Sequence, residues 1–513
     1  MIKRKVLKIV SNILLILSII IFIVSLYITV FFRGVTFEQL LYSVINFKGT
    51  SASVLIKGLF AVILIFLILY IIYRLSKYLI KKIKYEVIVK ISFGKKNTYI
   101  NFNKLFKALS IILLLIISFD MLKVYDYINM IKSSSKLYEN YYVDPREVSL
   151  NFPDKKRNLI FIYLESMEMS NGLVENGGFF NQSYIPNLEK LAQENINFSN
   201  TDKLGGSIMV YGANYTSASL VAHTAGIPLK VPIGWRNYKY YGKSLPGVYN
   251  LGDILKDNGY NNYFMIGSDG DYGGRKDYFR HGDYEVYDYY WAIDEGLIDK
   301  DYHVWWGYED KKLFEYAKDK LTEISMHEEP FNFTMLTVDT HFTDGYLDDS
   351  CENVFDKKYA NAIYCSDSKV YEFIKWVKRQ DFYDNTTIVI VGDHLSMQAF
   401  FYKDDDTYER TVYNTFINSS IEPLNSKNRL FTAFDMFPTT LASLGVSIEG
   451  NKLGLGVNLF SNEKTLIEEF GKEKFEKELK ANSVYYNNKF LKDHYYKMEK
   501  ELRDKEVNED EVD

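Results

Sequence analysis

The 513-residue sequence predicts an α/β domain with a mainly parallel central sheet, preceded by three apolar membrane spans. Three observations predict it. From about Asn158 onward, short continuously apolar runs alternate with helical stretches, the pattern of strands covered on both faces. Carboxylates and histidines recur where those runs end, the edge at which α/β sheets hold ligands. Lysines and arginines crowd one side of the apolar spans in the first quarter of the chain.

The bulk composition narrows the partners. A net charge of −5 and a pI near 5.9 carry no polyanion-binding signal, so no nucleic acid partner is expected. At 47% hydrophobic and 25% charged, the chain is long enough for more than one domain and a large core. Its two cysteines, Cys351 and Cys365, are too few for a disulfide scaffold and lack zinc-knuckle spacing. In an oxidising compartment they are a disulfide candidate, closing a loop of about 15 residues worth roughly 3 kcal/mol. In a cytosolic one they are plain thiols.

A membrane domain is expected over residues 1–125, with spans at about 9–32, 52–73 and 105–123. The first is long enough to cross about 30 Å of hydrocarbon and has no small-residue cleavage site after it, so it reads as an uncleaved anchor. Lys3, Arg4, Lys5 and Lys8 precede it, and a second basic cluster from Arg74 to Lys107 separates spans two and three. The positive-inside rule makes both cytoplasmic, and three crossings put the remainder outside. A multi-pass membrane protein with its large domain on the outer face is the expectation.

The outer part is expected to comprise a linker at 126–157, a catalytic domain at 158–462 and a helical tail at 463–513. Asn158–Leu164 forms a buried-strand pattern ending at Glu165, and a helix begins beside Pro186. Gly252–Gly259 reads as a helix closed by glycine, followed by a strand at Asn262–Ile266. Phe331–Val338 is a strand running into Asp339-Thr-His341, and a helix at Val370–Arg379 leads to the strand Thr387–Ile390. That strand ends in Val391-Gly-Asp393-His394.

Glu165, Asp339, His341, Asp393 and His394 thus stand at strand ends. Several carboxylates buried together need a compensating cation, and an oxygen-rich set with histidine suits Mn²⁺, Mg²⁺ or Zn²⁺. Thr216 and Ser217 open a helix of small residues after a glycine-containing turn. Thr216 reads either as an N-cap or as a nucleophile at a helix N-terminus, where phosphate is attracted.

The ordered set of motifs resembles the phosphoglycerol transferases of the alkaline-phosphatase superfamily, a group that includes the lipoteichoic acid synthases. The resemblance runs from about Asn158 to Phe460 and is carried by Ile-Tyr-Leu-Glu165-Ser, Tyr-Thr216, His-Thr-Ala-Gly-Ile-Pro-Leu229 and Leu-Thr-Val-Asp-Thr-His341. Leu-Gly-Asp-Ile-Leu-Lys256, Asp344-Gly-Tyr, Ser-Cys351, Cys365-Ser-Asp, Asp393-His-Leu-Ser-Met397 and Leu453-Gly-Leu-Gly456 complete it. It implies an alkaline-phosphatase-like fold and one divalent cation, manganese first, with magnesium or zinc as alternatives, held by Glu165, Thr216, Asp393 and His394. Thr216 would be the nucleophile and His341 a second catalytic residue at the phosphoryl group. Asp269, Arg275, His281 and Asp339 are the implied substrate-binding candidates. Phosphatidylglycerol in the lipid bilayer would be the donor, and a glycan or glycerol-containing molecule the acceptor. A phosphoethanolamine transferase or another hydrolase of the superfamily is the alternative, and a non-catalytic membrane-tethered module ranks last. Sulfatase chemistry is disfavoured, because the Cys/Ser-x-Pro-x-Arg context of formylglycine is missing at Thr216. The flanking Ala213-Asn214-Tyr215 and Ser217 depart from the family's usual residues and bear on the acceptor, while three spans, fewer than lipoteichoic acid synthases have, favour the glucan-modifying branch.

Overall fold

The structure, a computed structural model, describes residues 2–31, 35–45, 63, 67, 70–71, 73–74, 88–93, 96–230, 245–398, 401–402 and 407–491. The chain divides into two compact units, Met1–Leu41 with Thr50–Asn129, and Tyr42–Gly49 with Met130–Asp513.

In the first unit, helix α1 (Ile2–Phe31) packs along helix α2 (Phe102–Met121). Ile88–Phe93 and Lys96–Asn101 pair as an antiparallel hairpin. The 22 residues Ile9–Val30 rise about 33 Å, enough to span a bilayer. Among the described residues, this helix alone, rather than three, meets the length and composition of a span. The expected span at 52–73 lies largely outside the described residues. The expected span at 105–123 meets the requirement only together with Val124–Lys132, to which it is bent by 67°. The break falls at Lys123, whose φ of 54° is left-handed and whose charge, with that of Asp120, interrupts the apolar run.

The second unit is built on a six-stranded sheet. Its strands are β1 (Asn158–Leu164), β2 (Asn261–Ile266), β3 (Tyr284–Tyr287), β4 (Phe331–Leu336), β5 (Thr386–Gly392) and β6 (Asn414–Ile417). The spatial order is β6-β5-β1-β4-β2-β3, parallel throughout except for β6, which runs antiparallel to β5 at one edge. The helices are α3 (Pro186–Glu194), α4 (Thr216–Ala225), α5 (Leu251–Asp257), α6 (Arg275–His281), α7 (Asp310–Ile324), α8 (Lys358–Val377) and α9 (Met436–Ser443).

Alternation along β1 explains the two layers. Leu159, Phe161 and Tyr163 enter a core shared with α4, α5, α6 and α9, whereas Ile160, Ile162 and Leu164 enter one shared with α3, α7 and α8. Both faces are covered, so the strand is apolar from Leu159 to Leu164. Full burial of each such side chain contributes roughly 2 kcal/mol. The stretch expected as a linker is packed in part: Leu137 and Tyr138 are buried in the first core, with the Tyr138 ring 5.3 Å from that of Tyr486. Tail residues Phe475, Leu479, Tyr486 and Phe490 fill the same core.

Candidate functional site

The sheet order brings the carboxyl ends of β5, β1 and β4 side by side. Leu164 is in register with Gly392, so the residues that follow, Glu165 and Asp393, leave the sheet as neighbours. Gly392 makes this possible by absence: a Cβ there would lie 1.8 Å from the Met167 carbonyl oxygen.

Backbone and hydroxyl groups hold each side chain in place. Asp393 Oδ1 accepts the N–H of Ser166 and of His394, both at 2.7 Å. The Glu165 N–H donates to Thr337 Oγ1 at 3.0 Å, and Ser166 Oγ donates to Glu165 Oε1 at 2.8 Å. His394 Nδ1 donates to the Leu395 carbonyl at 2.9 Å, which leaves Nε2 as the lone-pair nitrogen facing the carboxylates. Nε2 lies 3.5 Å from both Glu165 Oε1 and Asp393 Oδ2.

These three residues are buried, and one ligand atom from each falls within 4.8 Å of the others. Asp393 Oδ2 is buried and accepts no hydrogen bond. Two buried carboxylates, an orphaned oxygen and an imidazole lone pair aimed at one point fit a divalent cation of the Mn²⁺, Mg²⁺ or Zn²⁺ kind. The electrostatics agree. Burial, and then the Glu165 charge, push Asp393 up to about 7. Burial also works against an ionised Glu165, but His341, His394 and the Ser166 hydroxyl outweigh it and hold that carboxyl below its usual value. His394 is raised: burial opposes its charge, and Asp393 and Glu165 more than compensate.

Thr216 is the first residue of α4. Tyr215, in extended conformation, occupies the cap position, so the hydroxyl of Thr216 is not spent on capping. It lies 3.3 Å from Glu165 Oε2 and 3.3 Å from His394 Nε2. Behind it, Ser219 donates to the Asp393 carbonyl oxygen and stands 3.1 Å from His223 Nδ1, fastening α4 to the end of β5.

A narrow cavity of about 30 Å³ opens beside Thr216 and Glu165. Arg275, His341, Tyr272 and Trp306 line it. His341 Nδ1 donates to the Phe342 carbonyl at 2.7 Å, so its Nε2 is the acceptor, and burial lowers its pKa. The Trp306 ring stands 4.6 Å from that of His341 and 5.3 Å from that of Tyr272. The Arg275 guanidinium is held by the carbonyls of Tyr272 and Asp269 and by Ser268 Oγ.

The structure therefore brings together Glu165, Thr216, Arg275, His341, Asp393 and His394. It does not bring the other three substrate candidates to the cavity. Asp339 pairs with Lys369 at 2.8 Å, because a carboxylate buried at that strand end needs a counter-ion. His281 bonds the Val248 carbonyl at 3.0 Å from the last turn of α6. Asp269 accepts the Asp271 N–H within its own loop and contributes its carbonyl to Arg275. Cys351 and Cys365 are bonded to each other. Sequence reasoning missed Tyr272 and Trp306. The paired Trp305-Trp306 before a glycine was a signal, but nothing local showed which ring turns inward.

It also missed a buried ion pair beneath the loop after His394. Arg410 Nε and Nη2 bond Glu168 at 2.7 and 2.6 Å, and Glu168 accepts the Ser396 N–H.

The sequence model of the sulfatase family matches residues 157–446, more than half of the chain. Phosphoglycerol transferase I of Escherichia coli O127:H6 is 33% identical over 270 residues, which is 50% of this chain and 33% of that protein. The Citrobacter koseri protein of the same name is 33% identical over 267 residues, with the same coverage. The chain thus matches about a third of the length of these relatives. Among solved structures, the lipoteichoic acid synthase LtaP from Listeria monocytogenes has a TM-score of 0.48 at 19% identity, covering 61% of this chain and 79% of that one. The phosphoethanolamine transferase EptA from Neisseria meningitidis has a TM-score of 0.47 at 14% identity, covering 85% and 84%. The matched residues take in the strand ends that carry Glu165, His341, Asp393 and His394, and the chain belongs to the sulfatase family.

Proposed function

We propose that the chain is a membrane-anchored phosphoglycerol transferase that moves the glycerophosphoryl group of phosphatidylglycerol to an extracytoplasmic glycan or glycerol polymer. The observation that carries the reading is the uncapped Thr216 hydroxyl at a helix N-terminus, 3.3 Å from both Glu165 and His394. Support comes from the relatives named phosphoglycerol transferase I and from residues after Thr216 that lack the proline and arginine of a sulfatase nucleophile motif.

Glu165, Asp393, His394 and Thr216 would hold one divalent cation, which when bound lowers the pKa of the hydroxyl and neutralises phosphoryl oxygens. The chain's own residues do the rest. The N–H groups of the first turn of α4 attract the phosphate. Arg275 adds positive charge, and Tyr272 and Trp306 line the cavity beside it. Thr216 Oγ attacks phosphorus and forms a glycerophosphoryl-threonine. His341 Nε2, neutral because it is buried, takes the proton released from Thr216 Oγ and passes it to the departing diacylglycerol oxygen; in the return step it takes the proton of the acceptor hydroxyl and gives it back to Thr216 Oγ. Diacylglycerol leaves, and an acceptor hydroxyl then takes the group from threonine.

The test uses the full chain in detergent with head-group-labelled phosphatidylglycerol and Mn²⁺. Label trapped on Thr216 after an acid quench, and its loss in Thr216→Ala, is the expected result. Full turnover by a folded Thr216→Ala protein would sink the mechanism. Turnover of phosphatidylethanolamine in place of phosphatidylglycerol would reassign the donor.

A further inference from the structure

The segment that carries His341 leaves β4 after Leu336 and regains helix only at Lys358. Two of its carboxylates converge on one cation. Lys369 Nζ, from α8, donates to Asp339 Oδ2 at 2.8 Å and to Asp348 Oδ2 at 2.5 Å, and its side chain is only 11% exposed. Asp339 and Asp348 bracket His341 along the chain. A third carboxylate, the fully buried Asp310, accepts the N–H groups of Val338 and Asp339, while its own N–H donates to Asp339 Oδ1. Three carboxylates therefore gather where Lys369 supplies the ammonium. Farther along, Cys351 is bonded to Cys365, four residues before Lys369 and on the same face of α8. One helix face thus grips the segment twice, by an ion pair and by a disulfide.

We propose that Lys369 is a positioning residue for His341, pinning both ends of the segment that presents the imidazole to the cavity. The inference rests on the phosphoryl-transfer reading given above. Without the ammonium, Asp310, Asp339 and Asp348 repel one another in a buried place, and the segment relaxes by moving apart. The disulfide holds only the far end, beyond Asp348. The Nδ1 bond of His341 goes to the next residue's carbonyl, so it sets the tautomer and does not anchor the ring to the body of the domain.

The full chain in detergent is compared as wild type, Lys369→Met, Lys369→Arg and Asp348→Asn, each with and without His341→Ala. Diethyl pyrocarbonate labelling of His341, read by mass spectrometry without lipid, reports how the ring is held. Turnover of labelled phosphatidylglycerol reports kcat and KM separately. Lys369→Met is expected to label faster at His341 and to lose about 10²-fold in kcat with little change in KM. Lys369→Arg retains most of both readouts, and Lys369→Met costs nothing further once His341 is alanine. Asp348→Asn leaves the Lys369–Asp339 pair intact and carries the test where Lys369→Met does not fold; a smaller change of the same sign is expected. Unchanged labelling in a folded variant, or an equal kcat loss in the His341→Ala background, overturns the assignment. Altered labelling with no phosphatidylglycerol turnover by wild type overturns the donor reading and leaves the positioning in place.

Discussion

The two oxygens of Asp393 do different work. Oδ1 accepts two backbone N–H groups, while Oδ2 is buried without a hydrogen bond beside a second carboxylate. Asparagine keeps the first oxygen and removes the charge. Asp393→Asn should therefore melt higher than wild type in chelator, because one of two repelling buried charges is gone. It should also lose the rise in Tm that Mn²⁺ gives wild type, about 2.7 kcal/mol of stabilisation at 100 times Kd. A thermal melt with and without Mn²⁺ decides it; an unchanged Mn²⁺ response in the variant removes Asp393 from the ligand set. At this scale the sequence was uneven. Glu165, Asp393 and His394 follow directly from apolar runs, so their position was legible. Asp339 looks the same in sequence, yet its partner Lys369 stands 30 residues away on α8, where nothing local announces it.

Secondary-structure elements aim these side chains, and their close approach can be tested. Gly392 ends β5 against the Met167 carbonyl, and a Cβ at 1.8 Å forces the strand end to move with Asp393 attached. Gly392→Ala is expected to keep its far-UV circular dichroism and to lose at least about tenfold in Mn²⁺ affinity by calorimetry. An affinity equal to wild type would show that the strand end yields without disturbing the site. The central strands were readable because both faces are buried, which makes Asn158–Leu164, Phe331–Leu336 and Thr386–Gly392 mostly apolar, with Asn332, Thr334 and the strand-opening Asn158, Thr386 and Thr387 as the polar positions. The edges were not. Tyr284–Tyr287 is four residues long and carries Glu285, and Asn414–Ile417 opens with an asparagine. Asn414–Ile417 is buried at every position, but four residues are too few for a burial pattern to show in sequence. α8 likewise starts at Lys358, well before the expected Val370, because the disulfide and Lys369 face needed more turns than the apolar stripe revealed.

At the scale of the whole second unit, the tail closes back on the beginning. Asp144 Oδ2 takes Arg146 Nη2 at 2.8 Å and Lys489 Nζ at 2.6 Å. Burial opposes its charge, but these two cations outweigh it and depress its pKa to about 2. A depressed carboxylate contributes stability above its unfolded value near 4 and loses it as pH falls through its folded value, a window of about pH 4 to 2. Asp144→Asn should cost roughly 2 kcal/mol at pH 7, and the Tm gap to wild type should close as the pH approaches 2. A gap that does not change with pH would mean the pair acts through packing alone. The sheet order has one more consequence, in time. Ser166 bonds Asp393 across 227 residues of sequence, and β1 pairs with β4 and β5, both made much later. At about 5–20 residues per second, β1 waits roughly 10–50 s for β5 to emerge. For that interval its two apolar faces and its open edges have no native partner, so the newborn chain must be shielded by something other than its own fold.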